Sequence, residues 1–175
     1  MIVNIPRVIY LLIMLAASCW CALILLAPLL SIADGPVQAA ARGLYLFFGQ
    51  ICHQLDDRSF HLMGHPVAVC ARCSGIYFGF LAGTILHPLA VRWLRLPLPA
   101  RSVLLAGAAP MLLDVAAGVF GLHETTNILR VVTGAWFGIA APWCILPSLI
   151  EAGTYMLQDP SSFRIGRLLK GSPSV

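Results

Sequence analysis

The sequence predicts an all-α polytopic membrane protein: about four transmembrane helices plus a further helix at 37–55 that is either interfacial or a fifth span. Three observations carry this expectation. Hydrophobic residues make up 59% of the 175-residue chain and charged residues only 10%, whereas a soluble domain carries about 25% charged residues to cover its surface. The mean hydropathy is +0.88. Uncharged or nearly uncharged runs of about 20 residues, enough to cross a bilayer, recur along the chain. The length suits a single integral membrane domain over residues 1–175.

The runs come in order. Val8–Leu30 is uncharged and follows Arg7; it exceeds the usual signal-peptide core of about 7–15 residues, so a retained helix is expected rather than a cleaved leader. Asp34-Gly-Pro36 breaks it. In Val37–Leu55, apolar residues repeat at helical spacing, but Arg42, Gly49, Gln50 and Gln54 interrupt them. That leaves a choice between lying in the interface and crossing. Val67–Val91 is the next expected span, with Gly75, Gly79 and Gly83 four residues apart; this small-residue stripe lets another helix, or a partner chain in a homo-oligomer, approach closely. Ser102–Gly121 and Ile128–Leu157 complete the set, the latter with Gly134 and Gly138 on one stripe.

Formal net charge is +4, and its distribution speaks to topology. No basic run interleaved with aromatics exists to follow a phosphate backbone, so nucleic acid is excluded as a partner and the lipid bilayer is the expected one. Arg92, Arg95 and Arg101 fall in one short loop and Arg164, Arg167 and Lys170 in the tail. Basic residues of short loops stay in the cytoplasm. The entry to Val67–Val91 then faces outward from a cytoplasmic (inner) membrane, and so does the chemistry at that entry.

That chemistry is a concentration of cysteine and histidine: Cys52-His53, His61, His65 and Cys70-Ala-Arg-Cys73. Tetrahedral zinc sites favour a C-x-x-C pair with two further Cys or His ligands. Cys52, His53, Cys70 and Cys73 form one such set for zinc or another transition metal, with His61 and His65 as alternate ligands. The same residues suit redox work. A C-x-x-C at a helix start, with Arg72 between the sulfurs, favours thiolate through the helix dipole and the adjacent cation. This arrangement is similar to that of vitamin K epoxide reductase and disulfide bond formation protein B, which work beside a quinone. A third reading is a plain structural cross-link, or a channel or lipid-binding subunit. All three stay open at the level of sequence.

Asp114, Glu124 and Arg130 form a second group, the candidate catalytic residues. An ionisable group inside a span is expensive to bury and so marks function by default, although Asp114 paired with Arg72 or Arg130 would be structural. Arg58 suits an anionic headgroup or a neighbouring aspartate equally. Asn127 and the two threonines before it are ordinary caps for the last helix.

In its segments Cys52-His-Gln54, Arg58-Ser-Phe60, Cys70-Ala-Arg-Cys-Ser-Gly-Ile-Tyr77 and Glu124-Thr-Thr-Asn-Ile-Leu-Arg-Val-Val-Thr-Gly134, the chain resembles a prokaryotic family of small membrane proteins of unknown function. The family pattern has serine where this chain has Thr125. The resemblance implies a membrane protein and singles out Cys52, His53, Cys70, Cys73, Asn127 and Arg130, without implying a reaction.

Overall fold

A computed structural model describes residues 5–94, 100–121 and 124–158. It contains five α-helices: α1 (Ile5–Leu30), α2 (Pro36–Gly49), α3 (Ala71–Leu94), α4 (Ala100–Val119) and α5 (Asn127–Gln158). Four of them, all but α2, are long and apolar enough to span a membrane. α2 has 14 residues, about 21 Å at 1.5 Å per residue, short of a hydrocarbon core of about 30 Å. Of the two alternatives for residues 37–55, the crossing helix is therefore excluded by length. Arg95, Arg164, Arg167 and Lys170, which set the expected orientation, lie outside the described residues.

Between α2 and α3 the chain makes a 3₁₀ turn (Asp56–Arg58) and a two-stranded antiparallel ribbon, β1 (His61–Leu62) and β2 (His65–Pro66). Met63 and Gly64 at its tip have φ of 53° and 83°, which makes the tip a two-residue turn of the kind whose twist matches paired strands. α3 starts at Ala71 although the apolar run begins at Val67. The backbone there is already committed to tertiary hydrogen bonds: Val67 N–H donates to Phe60 O at 2.8 Å, and Ala68 N–H donates to Ile24 O at 3.5 Å. None of those bonds is helical, so the helix waits until they end.

α3 and α5 are the central pair, with α4 on α5 and α1 against α3, α2 and α5. The glycine stripe explains the pair. A Cβ on Gly79 would sit 2.6 Å from Ala135 O, and one on Gly83 2.6 Å from Ile139 O. Reciprocally, a Cβ on Gly134 would meet Arg72 O and one on Gly138 would meet Ile76 O. The two backbones are in contact, as small-residue stripes permit where lipid supplies no hydrophobic drive. α1 joins through Tyr10 Oη, which donates to Thr84 O at 2.8 Å.

The α2–ribbon segment cannot cross, so the end of α1 and the start of α3 lie at one end of the bundle. The end of α4 and the start of α5 return to the same end, where Asn127 Nδ2 donates to Asp57 O at 3.2 Å. The residues singled out above gather at this end. Replacing Gly79 with leucine should force α3 and α5 apart at a cost of about 1–3 kcal/mol; an unfolding titration in mixed detergent micelles against wild type measures it, and an unshifted midpoint would refute the backbone contact.

Candidate metal centre

The last turn of α2 places Cys52. Ile51 N–H and Cys52 N–H both donate to Phe48 O, at 3.1 and 2.9 Å, and end the helix. Gln54 then adopts φ of 49°, a left-handed conformation uncommon outside glycine. Its side-chain amide holds the turn, donating to Tyr45 O at 2.9 Å and Ala68 O at 2.7 Å. One glutamine thus ties α2 to the bend at Ala68 that leads into α3. In the next motif Ser59 is buried, and its hydroxyl donates to Leu55 O at 2.8 Å.

This folding back delivers Cys52 over the first turn of α3. The sulfurs of Cys52, Cys70 and Cys73 all lie within 4.8 Å of one another. Cys52 is 5% exposed, and Cys70 N–H donates to Cys52 Sγ at 3.2 Å. The trio packs against a core of Ile24 and Ala27 from α1, Phe48 from α2 and Val67–Val69. Trp20 stands edge-on to Phe47, Phe48 and Tyr77 at centroid separations of 5.5, 5.3 and 5.7 Å and walls this core. Tyr77 lies one helical turn beyond Cys73, on the same face of α3.

Electrostatically the trio is asymmetric. The Cys73 thiol donates to the Cys70 sulfur and lowers the Cys70 pKa to about 5; burial works against this, and the backbone N–H groups of Cys73 and Arg72, with the Cys52 thiol, add to it. Helix-start N–H groups and neighbouring donors favour a thiolate in this way. Cys52, Cys70 and Cys73 are all free thiols in this structure.

The histidines stand apart from the sulfurs. His61 Nε2 meets Asp56 Oδ1 at 2.9 Å on the exposed ribbon. His53 is exposed and His65 half-buried in β2. Among the described residues, no imidazole or carboxylate joins the trio.

Asp114, Glu124 and Arg130, expected behind the cysteines, line a different place. Successive helical residues point about 100° apart, so Arg72 leaves the first turn of α3 on another face from Cys73. Its guanidinium ion-pairs with Asp114, which is 8% exposed. Together they border a cavity of about 660 Å³ that Arg58, Glu124, Asn127 and Arg130 also line. Arg130 Nη1 donates to Asn127 Oδ1 at 3.2 Å, and Arg58 Nε lies 3.5 Å from Asp57 Oδ2. Sequence reasoning missed the Gln54 clamp and the contribution of α1. Gln54 carried a signal, as the third residue of Cys-His-Gln, but in an apolar run nothing in the sequence sets the inward-facing Ile24 and Trp20 apart from lipid-exposed neighbours such as Leu25 and Leu26.

A family model described as "Predicted membrane protein (DUF2085)" matches residues 52–145, from the first cysteine of the trio to beyond Gly134 and Gly138 of α5. The chain belongs to that family. Within this DUF2085 family context, an uncharacterised protein of Methanocaldococcus jannaschii is 40% identical over 108 residues, covering 62% of this chain and 69% of its own. An uncharacterised protein of Methanothermobacter thermautotrophicus is 35% identical over 107 residues, covering 59% of this chain and 93% of its own. No solved structure matches.

Two measurements probe the geometry. Gln54→Ala removes both clamping bonds at a cost of about 1–3 kcal/mol and should speed maleimide labelling of buried Cys52 several-fold, with unchanged labelling refuting the clamp. In metal-free protein, Cys70 alkylation by iodoacetamide should stay near its plateau as pH falls from about 8 to about 5, then decline tenfold per unit. An ordinary thiol declines throughout the range below about 8.5.

Proposed function

We propose that this membrane protein binds a transition metal of the zinc type through Cys52, Cys70 and Cys73, at the extracytoplasmic edge of a cytoplasmic membrane. The observation that carries the reading is the convergence of three sulfurs, from segments on either side of a ribbon, within 4.8 Å. Sulfurs bound at about 2.3 Å in tetrahedral geometry lie about 3.8 Å apart, so side-chain rotations alone would close the set. Donor chemistry favours a soft or borderline ion, because thiolates select such metals over calcium or magnesium. The N–H donated to Cys52 Sγ fixes that sulfur beside the C-x-x-C pair, and the low pKa of Cys70 makes its deprotonation easy at neutral pH. Gln54 orients Cys52 in the manner of the outer contacts that hold metal ligands in place.

Three protein sulfurs leave a fourth position for water or an exogenous ligand. A bound metal with an open position supplies Lewis acidity and lowers the pKa of bound water; one with a closed position cross-links the α2 turn to α3. The protein's own part is to hold the three sulfurs, exclude water with Phe48, Val69 and the Trp20 wall, and keep the second face of α3 engaged with Asp114.

A second reading is thiol–disulfide exchange with a quinone as electron acceptor. The lowered pKa of Cys70 beside Cys73 favours it, since the thiolate is the attacking species.

Elemental analysis of the full-length protein purified in detergent separates the two. About one equivalent of metal per chain is expected, falling below about a tenth in Cys52→Ser, Cys70→Ser or Cys73→Ser and unchanged in His61→Ala. Cobalt substitution should give sulfur-to-metal charge-transfer absorption that fades on acidification, because protons compete for the thiolates. Substoichiometric metal that is indifferent to all three serines sinks the metal reading. Thiols trapped in cells then decide for exchange if two of the three are found oxidised.

A further inference from the structure

The cavity beside Arg72, on another face of α3 from Cys73, has no part in the thiol chemistry proposed above. At about 660 Å³ it lies within the range of small-molecule pockets, about 300–1,000 Å³. Its formal charges cancel, with three arginines and three acids, but they are not equally engaged. Asp57 lies 3.5 Å from Arg58 at the rim, with side chains 73% and 51% exposed, and Glu124 is exposed as well, so neighbouring charge and water satisfy both acids. Asp114 is already paired with Arg72. Arg130 is half-buried, has no carboxylate partner among the described residues, and is steered by Asn127. The interior therefore holds unspent positive charge.

Two buried atoms sharpen this. Arg72 Nε and Asp114 Oδ1 both lack a hydrogen-bond partner, and an orphaned buried polar atom costs about 1–3 kcal/mol, more when charged. Both atoms are sealed beneath the cavity's surface, so a ligand satisfies them with one acceptor and one donor only where the Arg72–Asp114 pair parts to admit it. The N-terminus of α5, a 32-residue helix, opens onto the same space through Thr125, Thr126 and Asn127, and its dipole adds to the attraction for an anion. Along α4 the wall turns apolar, through Val115, Gly118 and Val119, with Val119 78% exposed where lipid would lie.

We propose that this cavity binds a phosphate ester carrying a free hydroxyl. The phosphoryl oxygens would be held by Arg130, Arg58 and the start of α5, and the floor pair Arg72–Asp114 would take one further acceptor and one donor from the same ligand. A glycerol-phosphate group has this chemistry, whether it arrives as a lipid headgroup alongside Val119 or as a soluble ester from the aqueous side.

The test uses full-length protein in detergent, read by native mass spectrometry. The probes are phosphatidylglycerol, sn-glycerol 3-phosphate, and diacylglycerol as a control without phosphorus. Saturable one-to-one binding of phosphatidylglycerol and none of diacylglycerol is expected. Arg130→Gln should weaken it about tenfold, as loss of a charge-assisted contact does, with Arg130→Lys retaining most of it and His61→Ala all of it. Equal competition by sn-glycerol 3-phosphate would assign the soluble ester, and its failure the lipid. Should Arg130→Gln not elute as folded protein, Asn127→Ala, which releases the guanidinium, serves in its place. The proposal is overturned if neither phosphate probe binds wild type, or if affinity is unchanged in the Arg130 and Asn127 variants. Neither outcome touches the metal reading, whose readout is metal content.

Discussion

Contact between the backbones of α3 and α5 sets the height at which everything else meets. Gly134 faces the Arg72 carbonyl, and Gly138 faces that of Ile76; with side chains in either place the helices would stand further apart and could slide. Because the contact is backbone on backbone, the first turn of α3 is fixed level with the second turn of α5, around Val131–Gly134. That alignment puts Arg72 beside the cavity that Asn127 and Arg130 line, at the depth where Asp114 of α4 can reach its guanidinium. The cysteine trio depends on the same turn, since Cys70 and Cys73 flank Arg72. A stripe of small residues in the membrane thus locates two polar sites.

The Arg72–Asp114 pair shows why the motif carries an arginine between its sulfurs. A carboxylate 8% exposed at a bundle edge is costly unless a cation meets it, and removal of one partner of such a pair leaves the other charge stranded. The pair does not close fully, because Nε and Oδ1 stay without partners. Each of those atoms would need a donor or acceptor from outside the pair to be satisfied.

Much of this arrangement was legible in the sequence, and what was not has definite physical causes. Four spans follow from apolar length alone, and the glycine stripes announced a close helix pair. The convergence of Cys52 on Cys70-x-x-Cys73 was legible because a long polar connection at one membrane edge must fold back. Assigning loop histidines to the sulfurs was not supported by any spacing rule: His61 sits on an exposed ribbon where Asp56 meets it first. Asp114, Glu124 and Arg130 stood out in the sequence as candidates, but not as separate from the cysteines. Only the 100° step between Arg72 and Cys73 divides the two sites, and that depends on where α3 begins. The start at Ala71 instead of Val67 is decided by Gln54 and by hydrogen bonds to Phe60 and Ile24, contacts too distant in sequence for local periodicity to register.

The shared first turn has a mechanical consequence. Cys70 and Cys73 flank Arg72, whose guanidinium is anchored on Asp114 of α4, while Gln54 and the Cys70 N–H hold Cys52 over the same turn. The glycine contact fixes that turn against α5. Residues 70–73 therefore belong to both places at once, and a substitution that shifted this turn would reach the sulfurs and the Arg72–Asp114 pair together.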